Sequence, residues 1–476
     1  MARTKKKNPR PNKGSIAKGR PPSRRRGGSP DLPRRISRGG EILAEATVWA
    51  LLLLVWWHHD SGAKDAFRLP KLILAQTLAL VSLFFLAWRL QKVRRWDPRS
   101  SLGLPALRAT VPLVVVAALS LLTSDFPLHG LEAWISLAIA SAALVGWSVG
   151  FSSAALTRLL GGILLPGVGL SVVGILQFHD LYRPFDFTGE VEAQRLGVTS
   201  YAGSAGDLSV MLVLPCLVAQ HRLLTGRGPE RALWGGGLLI CLYALAVTQT
   251  LTSVVALIVC SLFFWLWVLP LRRAVAVGAL VSLAAALLVA GVAPLRERVV
   301  NKGRQLSRGS LNSVLTGRLD GWRTALWMFE ESPVLGVGHG AYRAKFAEAK
   351  LALLEEGTEF LKSQTQVMFV NAHNEILEVL AETGTLGLAA LIWALWVLAR
   401  TLRRRMPRRG SREGEAEDDP PGGGGSADSA LAWSGLLALL LLSLGQFPFR
   451  LALTGYPAVL FLAWIFGGAE AGEENP

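Results

Sequence analysis

The sequence predicts an all-α polytopic membrane protein with a large helical loop outside the cytoplasm. Hydrophobic residues make up 51% of the 476 residues, and the mean hydropathy is +0.38. The apolar residues also gather in separate runs, several of them close to the ~20 residues that cross a bilayer as a helix. A soluble protein does not carry this pattern, so we expect about 12 transmembrane helices.

The predicted spans are separated by polar connections, the longest of which precedes the tenth span. They are 42–57, 69–88, 110–123, 133–151, 159–177, 207–220, 232–248, 253–270, 274–292, 373–398, 429–446 and 455–468. The chain accordingly divides into an N-terminal tail (1–40), a first group of spans (41–292), a large loop (293–372), a second group of spans (373–468) with a linker (399–428), and a C-terminal tail (469–476).

The N-terminal tail is strongly basic. Residues 1–40 hold fourteen lysines and arginines and one acid, Asp31. Pro, Gly and Ser are frequent and large apolar residues are rare, which predicts disorder. A nucleic-acid-binding arm is one interpretation of this charge. We favour attraction to anionic lipid at the cytoplasmic surface and predict no nucleic-acid partner.

Positive charge also predicts the orientation in the membrane. If the tail is cytoplasmic, alternate loops are cytoplasmic, and these loops carry clusters of arginine, most densely at 399–412. Cytoplasmic loops of membrane proteins have such an excess of Lys and Arg. An even number of spans then puts both termini in the cytoplasm and the 293–372 loop outside. Because nucleotide-activated donors are absent on that side, group transfer there needs a donor carried by a lipid.

Chemistry-bearing side chains are concentrated where the tenth span begins. His373 and Asn374 precede an apolar helix, and Glu375 is followed by glutamates at i+3 and i+7 on the same face. Polar groups in an apolar segment usually mark a site. A helix that begins near Ala372 directs its N-terminal dipole at His373, which favours neutral imidazole, while free amides there favour phosphate oxygens. The alternative is structural, with a histidine bonded to a loop carbonyl and glutamates that cap the helix or pair with arginines.

The large loop contains a second candidate segment, an amphipathic helix. Leu319, Trp322 and Leu326 repeat with helical spacing, and Arg318 lies one turn from Trp322 on a shared face. Such a helix suits a membrane interface. The alternative is a plain packing helix whose arginines are solvated, and we favour it for Arg323.

A glycine-rich segment follows this helix. Pro333 ends the helix, and Gly336, Gly338 and Gly340 allow a tight loop whose backbone amides approach an anion. The pattern is neither a Walker motif nor a dinucleotide fingerprint. We interpret Gly338 as a candidate substrate contact and His339 as a loop residue.

Together these segments resemble the O-antigen ligase and O-antigen polymerase superfamily. The central pieces occur in the family's order and are Arg318-x-x-x-Trp322, Pro333-x-x-Gly336-x-Gly338, His373-Asn374-x-x-Leu377 and Glu382-x-Gly384-x-x-Gly387. Weaker pieces are Arg68-Leu69-Pro70-Lys71, Gly174-x-x-Gln177-Phe178 and Arg195-Leu196-Gly197-Val198-Thr199. The resemblance extends over residues 42–468.

The resemblance implies a GT-C-like, metal-independent glycosyltransferase of the bacterial cytoplasmic membrane that needs no cofactor. Its donor is a glycan linked to undecaprenyl diphosphate, and its acceptor is a hydroxyl of a lipid, a polysaccharide or a protein. By the match of motifs, His373 is the base on the acceptor hydroxyl and Arg318 holds the donor diphosphate. The further candidate substrate-binding residues are Arg195, Trp322, Asn374, Glu375, Gly338 and Arg450.

One position departs from the family pattern. Members carry a second diphosphate-binding arginine in a Thr-x-Ser-Arg type motif at the outer end of the eighth span. This chain has Thr248-Gln249-Thr250-Leu251-Thr252-Ser253 there, with leucine where the arginine falls. Either Arg195 or Arg450 substitutes for the missing cation, or donor binding is altered.

Two other functions remain as alternatives. A transporter or flippase of polyisoprenoid or polysaccharide predicts broken helices repeated in matching halves, and the sequence shows no such repeat. A non-catalytic scaffold that binds lipid-linked glycan fits the leucine at position 251. We favour the transferase, whose ligase, polymerase and protein glycosyltransferase forms the sequence does not separate.

Overall fold

All regular structure that the computed structural model describes is helical. It describes residues 32–63, 65–93, 104–185, 198–361, 369–405 and 424–470. The α-helices are α1 (Leu32–Leu54), α2 (Arg68–Val93), α3 (Pro105–Leu121), α4 (Pro127–Gly150), α5 (Ser153–Gly162), α6 (Leu164–Phe178), α7 (Ala205–Thr225), α8 (Pro229–Val247), α9 (Leu251–Val268), α10 (Leu271–Gly291), α11 (Ala293–Ser307), α12 (Leu311–Val314), α13 (Arg318–Glu331), α14 (Tyr342–Glu355), α15 (Glu375–Arg405), α16 (Gly424–Ser443) and α17 (Ala452–Glu470). Short 3-10 helices cover Ser200–Ala202 and Pro448–Arg450.

Eight of the described helical segments are long and apolar enough to cross a membrane. They are Arg68–Gln91, Pro127–Gly150, Ser153–Phe178, Ala205–Thr225, Pro229–Val247, Leu251–Val268, Glu375–Arg404 and Gly425–Ser443. Shorter apolar helices cover Pro105–Leu121 and Ala452–Gly467. The predicted class of polytopic helical membrane protein is therefore confirmed. Every predicted span overlaps a helix, while the number of crossings stays a prediction.

Some helix boundaries differ from those predicted. The helix α1 begins at Leu32, although composition predicts a disordered tail as far as residue 40. Extending an existing helix adds one hydrogen bond per residue without a new nucleation cost, which accounts for the difference. The span predicted at 159–177 consists of α5 and α6, which meet at Ile163. The predicted linker overlaps the ends of α15 and α16, and the rest of it, like residues 1–31, lies outside the described residues.

The helix α7 lies in the core of the bundle. All of its residues from Leu208 to His221 are buried, as expected for a helix that is apolar on every side. It packs against α6, α8, α9 and α16. The surrounding helices carry exposed leucines and valines on their outer faces, for example Leu80, Val115 and Leu262. That distribution matches a bundle whose outer surface meets lipid.

The described part of the 293–372 loop has a small hydrophobic core of its own. The helices α13 and α14 pack against each other, and α13 also packs against α15. This core contains Ala325, Met328, Val337, Ala341, Tyr342, Phe346, Ala349, Ala372 and Ala381. Because Ala372 and Ala381 flank the start of α15, the loop is fixed to the segment that carries His373.

Candidate active site

Segments from several helices meet at one end of the bundle, which we call the site end. The guanidinium of Arg318 donates from Nη1 to Thr252 Oγ1 at 3.0 Å. The rings of His373 and Phe447 have centroids 5.2 Å apart, and a Cβ built on Gly445 would lie 2.9 Å from Thr252 Cγ2. The connection between α16 and α17 (residues 444–451) thus lies beside His373 and beside the threonine that binds Arg318.

His373 directly precedes α15 in a left-handed backbone conformation, with φ +56°. A residue with a Cβ adopts such a conformation at a cost of about 1–3 kcal/mol, and it persists only where the surroundings fix it. Asn374 fixes the chain here by capping α15. Its Oδ1 accepts from the amides of the second and third helical residues, both at 3.1 Å.

This cap corrects the predicted start of the helix. The helix α15 begins at Glu375 rather than near Ala372. The side chain of Asn374 already accepts hydrogen bonds from two amides of the first turn. These two amides are therefore not free to bind phosphate, contrary to the prediction. Asn374 is itself buried and serves as the cap. His373 lies half-buried between the rings of Phe447 and Phe369, and the latter centroid is 5.6 Å away.

The first two glutamates of α15 are bonded to neighbouring segments. Glu375 accepts from Ser443 Oγ at 2.9 Å and from the amide of Phe449 at 2.8 Å, which fixes the α16–α17 connection to α15. Glu378 accepts from the amide of Ala372 at 2.9 Å, one residue before His373. Both carboxylates are buried, so they hold the protein around His373 rather than facing a ligand.

Arg450 is held by two buried carboxylates. Its Nη1 lies 3.1 Å from Glu378 and its Nη2 2.8 Å from Glu382, and its side chain is 23% exposed. Burial acts to lower the pKa of Arg450, but the two carboxylates outweigh this and the pKa is raised. Glu382 also lies 3.4 Å from Nδ1 of His339. Two negative charges therefore compensate the guanidinium, which argues against Arg450 as the substitute diphosphate anchor.

The helix α15 is broken at Gly384, where φ is +62° and ψ is −159°. The glycine-rich 333–338 loop fills the break. On one side of it, the carbonyl oxygens of Ala381 and Glu382 accept from the amides of Val337 and Gly338 at 2.9 and 3.1 Å. Since a helix within a membrane has to satisfy all its backbone groups inside the protein, this loop is part of the span.

The other side of the break is bonded in the same way. The amides of Thr385 and Leu386 donate to the carbonyl oxygens of Pro333 and Val334 at 2.9 and 3.3 Å. The amide of Gly338 is already bonded to α15, so the prediction that the amides of this loop approach an anion is wrong for Gly338. The Pro-x-x-Gly-x-Gly and Glu-x-Gly-x-x-Gly motifs are therefore joined by backbone hydrogen bonds on both sides of the break in α15.

The helix α13 brings Arg318 to the site end. Thr316 and Gly317 precede it in left-handed conformations, with φ +60° and +84°. A Cβ built on Gly321 would lie 3.0 Å from the carbonyl oxygen of Ala372, so α13 packs directly on the residue before His373. One turn after Arg318, Trp322 has a buried Nε1 with no hydrogen-bond partner among the described residues.

The turn with the unexpected leucine also reaches this site. Leu251 is the first residue of α9, and the buried Gln249 two residues earlier has φ +52°. Thr252, the next residue of α9, accepts the Arg318 hydrogen bond. Left-handed residues other than glycine therefore occur on three of the segments that form the site, at Gln249, Thr316 and His373. Backbone strain of this kind clusters at functional sites.

Sequence reasoning missed one charged residue at the site end. Arg68 is the first residue of α2, and its guanidinium carbon lies 5.3 Å from the centroid of the Phe447 ring. The sequence flags it only as part of a weak flanking motif, because nothing in the chain predicts that α2 begins beside residue 447. Arg195, the other predicted substitute cation, lies outside the described residues.

A comparison with known protein families agrees with this geometry. Residues 236–392 match the family model described as O-Antigen ligase. No curated protein matches the chain. The matched residues include the Thr252 turn, Arg318, the 333–338 loop, His373 and the break at Gly384, while Arg68 and Arg450 lie outside them. The resemblance predicted from the motifs is therefore confirmed, and residues 236–392 of this chain are similar to the O-antigen ligase family.

Proposed function

We propose that this protein transfers a glycan from undecaprenyl diphosphate to an acceptor hydroxyl at the extracytoplasmic face of the bacterial cytoplasmic membrane. The observation that carries the proposal is that one short connection, residues 444–451, lies beside His373 and beside Thr252, the hydrogen-bond partner of Arg318. Arg318 begins α13 directly after a turn with two left-handed residues, and His373 directly precedes α15 in a left-handed conformation. Such a fixed arrangement is what orientation-dependent catalysis requires.

The chemistry assigns one task to each residue. His373 takes the proton of the acceptor hydroxyl as the acceptor oxygen bonds to the anomeric carbon of the donor sugar. The bond between that carbon and the diphosphate oxygen breaks, and its electron pair leaves with undecaprenyl diphosphate. Arg318 binds the diphosphate and stabilises the charge that develops on it, a task that suits the planar guanidinium better than an ammonium group.

The distribution of charge supports this sidedness of the site. The opposite end of α15 carries Arg400, Arg403 and Arg404, and its continuation in the chain is also rich in arginine. Under the positive-inside rule that end is cytoplasmic. The site end then faces outward, where a lipid-linked sugar is the class of activated donor that fits.

The test is transfer by the purified protein in EDTA, from undecaprenyl-diphosphate oligosaccharide to candidate lipid, polysaccharide and protein acceptors. His373→Ala and Arg318→Ala should each lower the rate by about 100-fold or more, the range for loss of a general base or a charge-stabilising donor. Matched controls are His129→Ala and Arg323→Ala, whose side chains are exposed. Unchanged rates in the first pair would refute the residue assignment, and absence of transfer to every acceptor by the wild type would refute the function.

The broken helix α15 gives the transporter alternative one specific observation in its favour. Discontinuous helices form the substrate sites of many secondary transporters. In this protein, however, backbone hydrogen bonds from the 333–338 loop occupy the break on both sides. Movement of the lipid-linked donor across liposomes without formation of new glycosidic bonds would favour the transporter over the transferase.

A further inference from the structure

Arg68 is held at the site end by two acidic residues. Oδ1 of Asp65 accepts from the amide of Arg68 at 2.9 Å and so caps the first turn of α2. Asp207 accepts from Nε and Nη2 of Arg68 at 3.2 and 3.0 Å. The Asp207 side chain is 7% exposed, whereas that of Arg68 is 35% exposed. The buried acid therefore orients a guanidinium that stays open to its surroundings.

The third nitrogen of this guanidinium is not bonded to Asp207. The bonds to Asp207 use Nε and Nη2, and Nη1 makes no hydrogen bond to any residue that the structure describes. Phe447 contacts both Arg68 and His373. The centroid of its ring lies 5.3 Å from the guanidinium carbon of Arg68 and 5.2 Å from the ring centroid of His373. An oriented cation with free donors thus lies one aromatic ring away from the predicted base.

We propose that Arg68 is the second cationic anchor for the donor diphosphate, in the place left without a cation by Leu251. This inference rests on the proposed function. A diphosphate diester carries two negative charges, and Arg318 supplies one guanidinium for them. Arg450 is compensated by Glu378 and Glu382.

The pair with Asp207 fits this role. Holding two of the three guanidinium nitrogens reduces the side-chain freedom that is lost when a phosphate binds, and the remaining N–H groups keep a fixed direction. Because Asp207 compensates the charge, we expect Arg68 to contribute directed, charge-assisted hydrogen bonds more than long-range attraction. The Phe447 ring covers one side of the guanidinium, and a hydrogen bond beside an apolar ring is stronger than one in bulk water.

The test is equilibrium binding of undecaprenyl diphosphate to the full-length protein in lipid nanodiscs, with no acceptor present. Arg68→Gln should raise the Kd by about 10-fold or more, the effect of losing a hydrogen bond to a charged group. It should raise the Kd of undecaprenyl monophosphate less, since that headgroup also fits on Arg318 alone. The matched control is Arg183→Gln, because Arg183 is 72% exposed and pairs with Asp180 in a surface turn.

Variants of Asp207 separate anion binding from a structural ion pair. Asp207→Asn keeps the guanidinium and an oxygen that can accept from it, so its Kd should rise clearly less than that of Arg68→Gln. The double variant, Arg68→Gln with Asp207→Asn, has no buried carboxylate left without its cation. It should bind undecaprenyl diphosphate as weakly as the Arg68→Gln variant does. Equal losses in Asp207→Asn and Arg68→Gln would overturn the inference, and so would unchanged binding by the double variant.

The same measurement keeps this inference distinct from the proposed function. If the wild type binds undecaprenyl diphosphate and Arg318→Gln weakens binding while Arg68→Gln does not, the inference about Arg68 fails and the function stands. If the wild type does not bind the lipid diphosphate, both fail.

Discussion

The guanidinium of Arg450 lies 2.8 Å from the carboxylate of Glu382, and this pair joins the segments that surround the site. Arg450 comes from the turn before α17, and Glu382 comes from α15 just before its break. Glu382 also accepts from the amide of Tyr342 at 3.3 Å and lies 3.4 Å from His339 Nδ1. One buried carboxylate therefore connects α14, α15, the glycine-rich loop and the α16–α17 connection.

We expect Arg450→Met to destabilise the protein strongly. The substitution leaves the carboxylates of Glu378 and Glu382 buried without their cation, and removing one partner of a buried ion pair costs about 3–5 kcal/mol. Thermal unfolding in detergent, followed by tryptophan fluorescence, should show a much lower midpoint.

The control for this variant is Arg158→Met. Arg158 pairs with Glu45 at 2.7 Å, but its side chain is 57% exposed, and surface ion pairs contribute little. Its midpoint should stay close to that of the wild type. A similar midpoint for Arg450→Met and the wild type would show that the network does not hold the site end together.

Gly384→Ala should prevent the glycine-rich loop from entering the break in α15. A Cβ at this position would lie 2.3 Å from the carbonyl oxygen of Val334, and the φ of +62° is itself unfavourable for alanine. We expect loss of folded protein in size-exclusion chromatography, or a midpoint lowered well beyond the effect of an ordinary helix substitution.

Gly236→Ala is the matched control for Gly384→Ala. Gly236 lies within α8, and a Cβ there would meet nothing within 4 Å. Alanine should leave stability unchanged or raise it by about 1 kcal/mol, because alanine favours a helix over glycine. If both glycine variants behave alike, the break at Gly384 does not require glycine.

The sequence predicted the helical membrane fold, and it singled out His373 and Arg318, whose segments the structure brings to the site end. Their catalytic roles stay a prediction. Apolar runs reveal helices directly, and the two residues stand in short motifs of fixed order. The roles of Asn374, Glu375 and Gly338 were predicted less well. In a sequence, polar residues and glycines that hold the backbone around a site have the same appearance as those that contact a ligand.

The position of Arg68 was beyond sequence reasoning for a different reason. Its importance depends on a contact with Phe447, hundreds of positions later in the chain, and on the buried Asp207. No periodicity or spacing encodes such a contact. The strained backbone at His373 is likewise invisible in the sequence, because only a few per cent of residues other than glycine adopt positive φ and no local pattern marks which of them do.

Asn374 variants should separate helix capping from substrate binding. Asn374→Ala removes the cap and should lower the free energy of unfolding by about 1 kcal/mol, while Asn374→Ser or Asn374→Asp retains a capping oxygen. If capping is the role, kcat falls in the alanine variant, because His373 loses its fixed position, and recovers in the serine variant. A serine variant with normal stability and a greatly raised KM would instead indicate a substrate contact.

Cysteine labelling tests which side of the membrane the site end occupies. The native Cys216, Cys241 and Cys260 are buried, so single introduced cysteines report their own surroundings. Glu355→Cys lies on the exposed end of α14, and Arg404→Cys lies on the exposed opposite end of α15. In intact spheroplasts a membrane-impermeant maleimide should label the first and not the second. After detergent permeabilisation both should react, which shows that each thiol is accessible. The reverse pattern in intact spheroplasts would place the site in the cytoplasm, where the argument for a lipid-linked donor no longer holds.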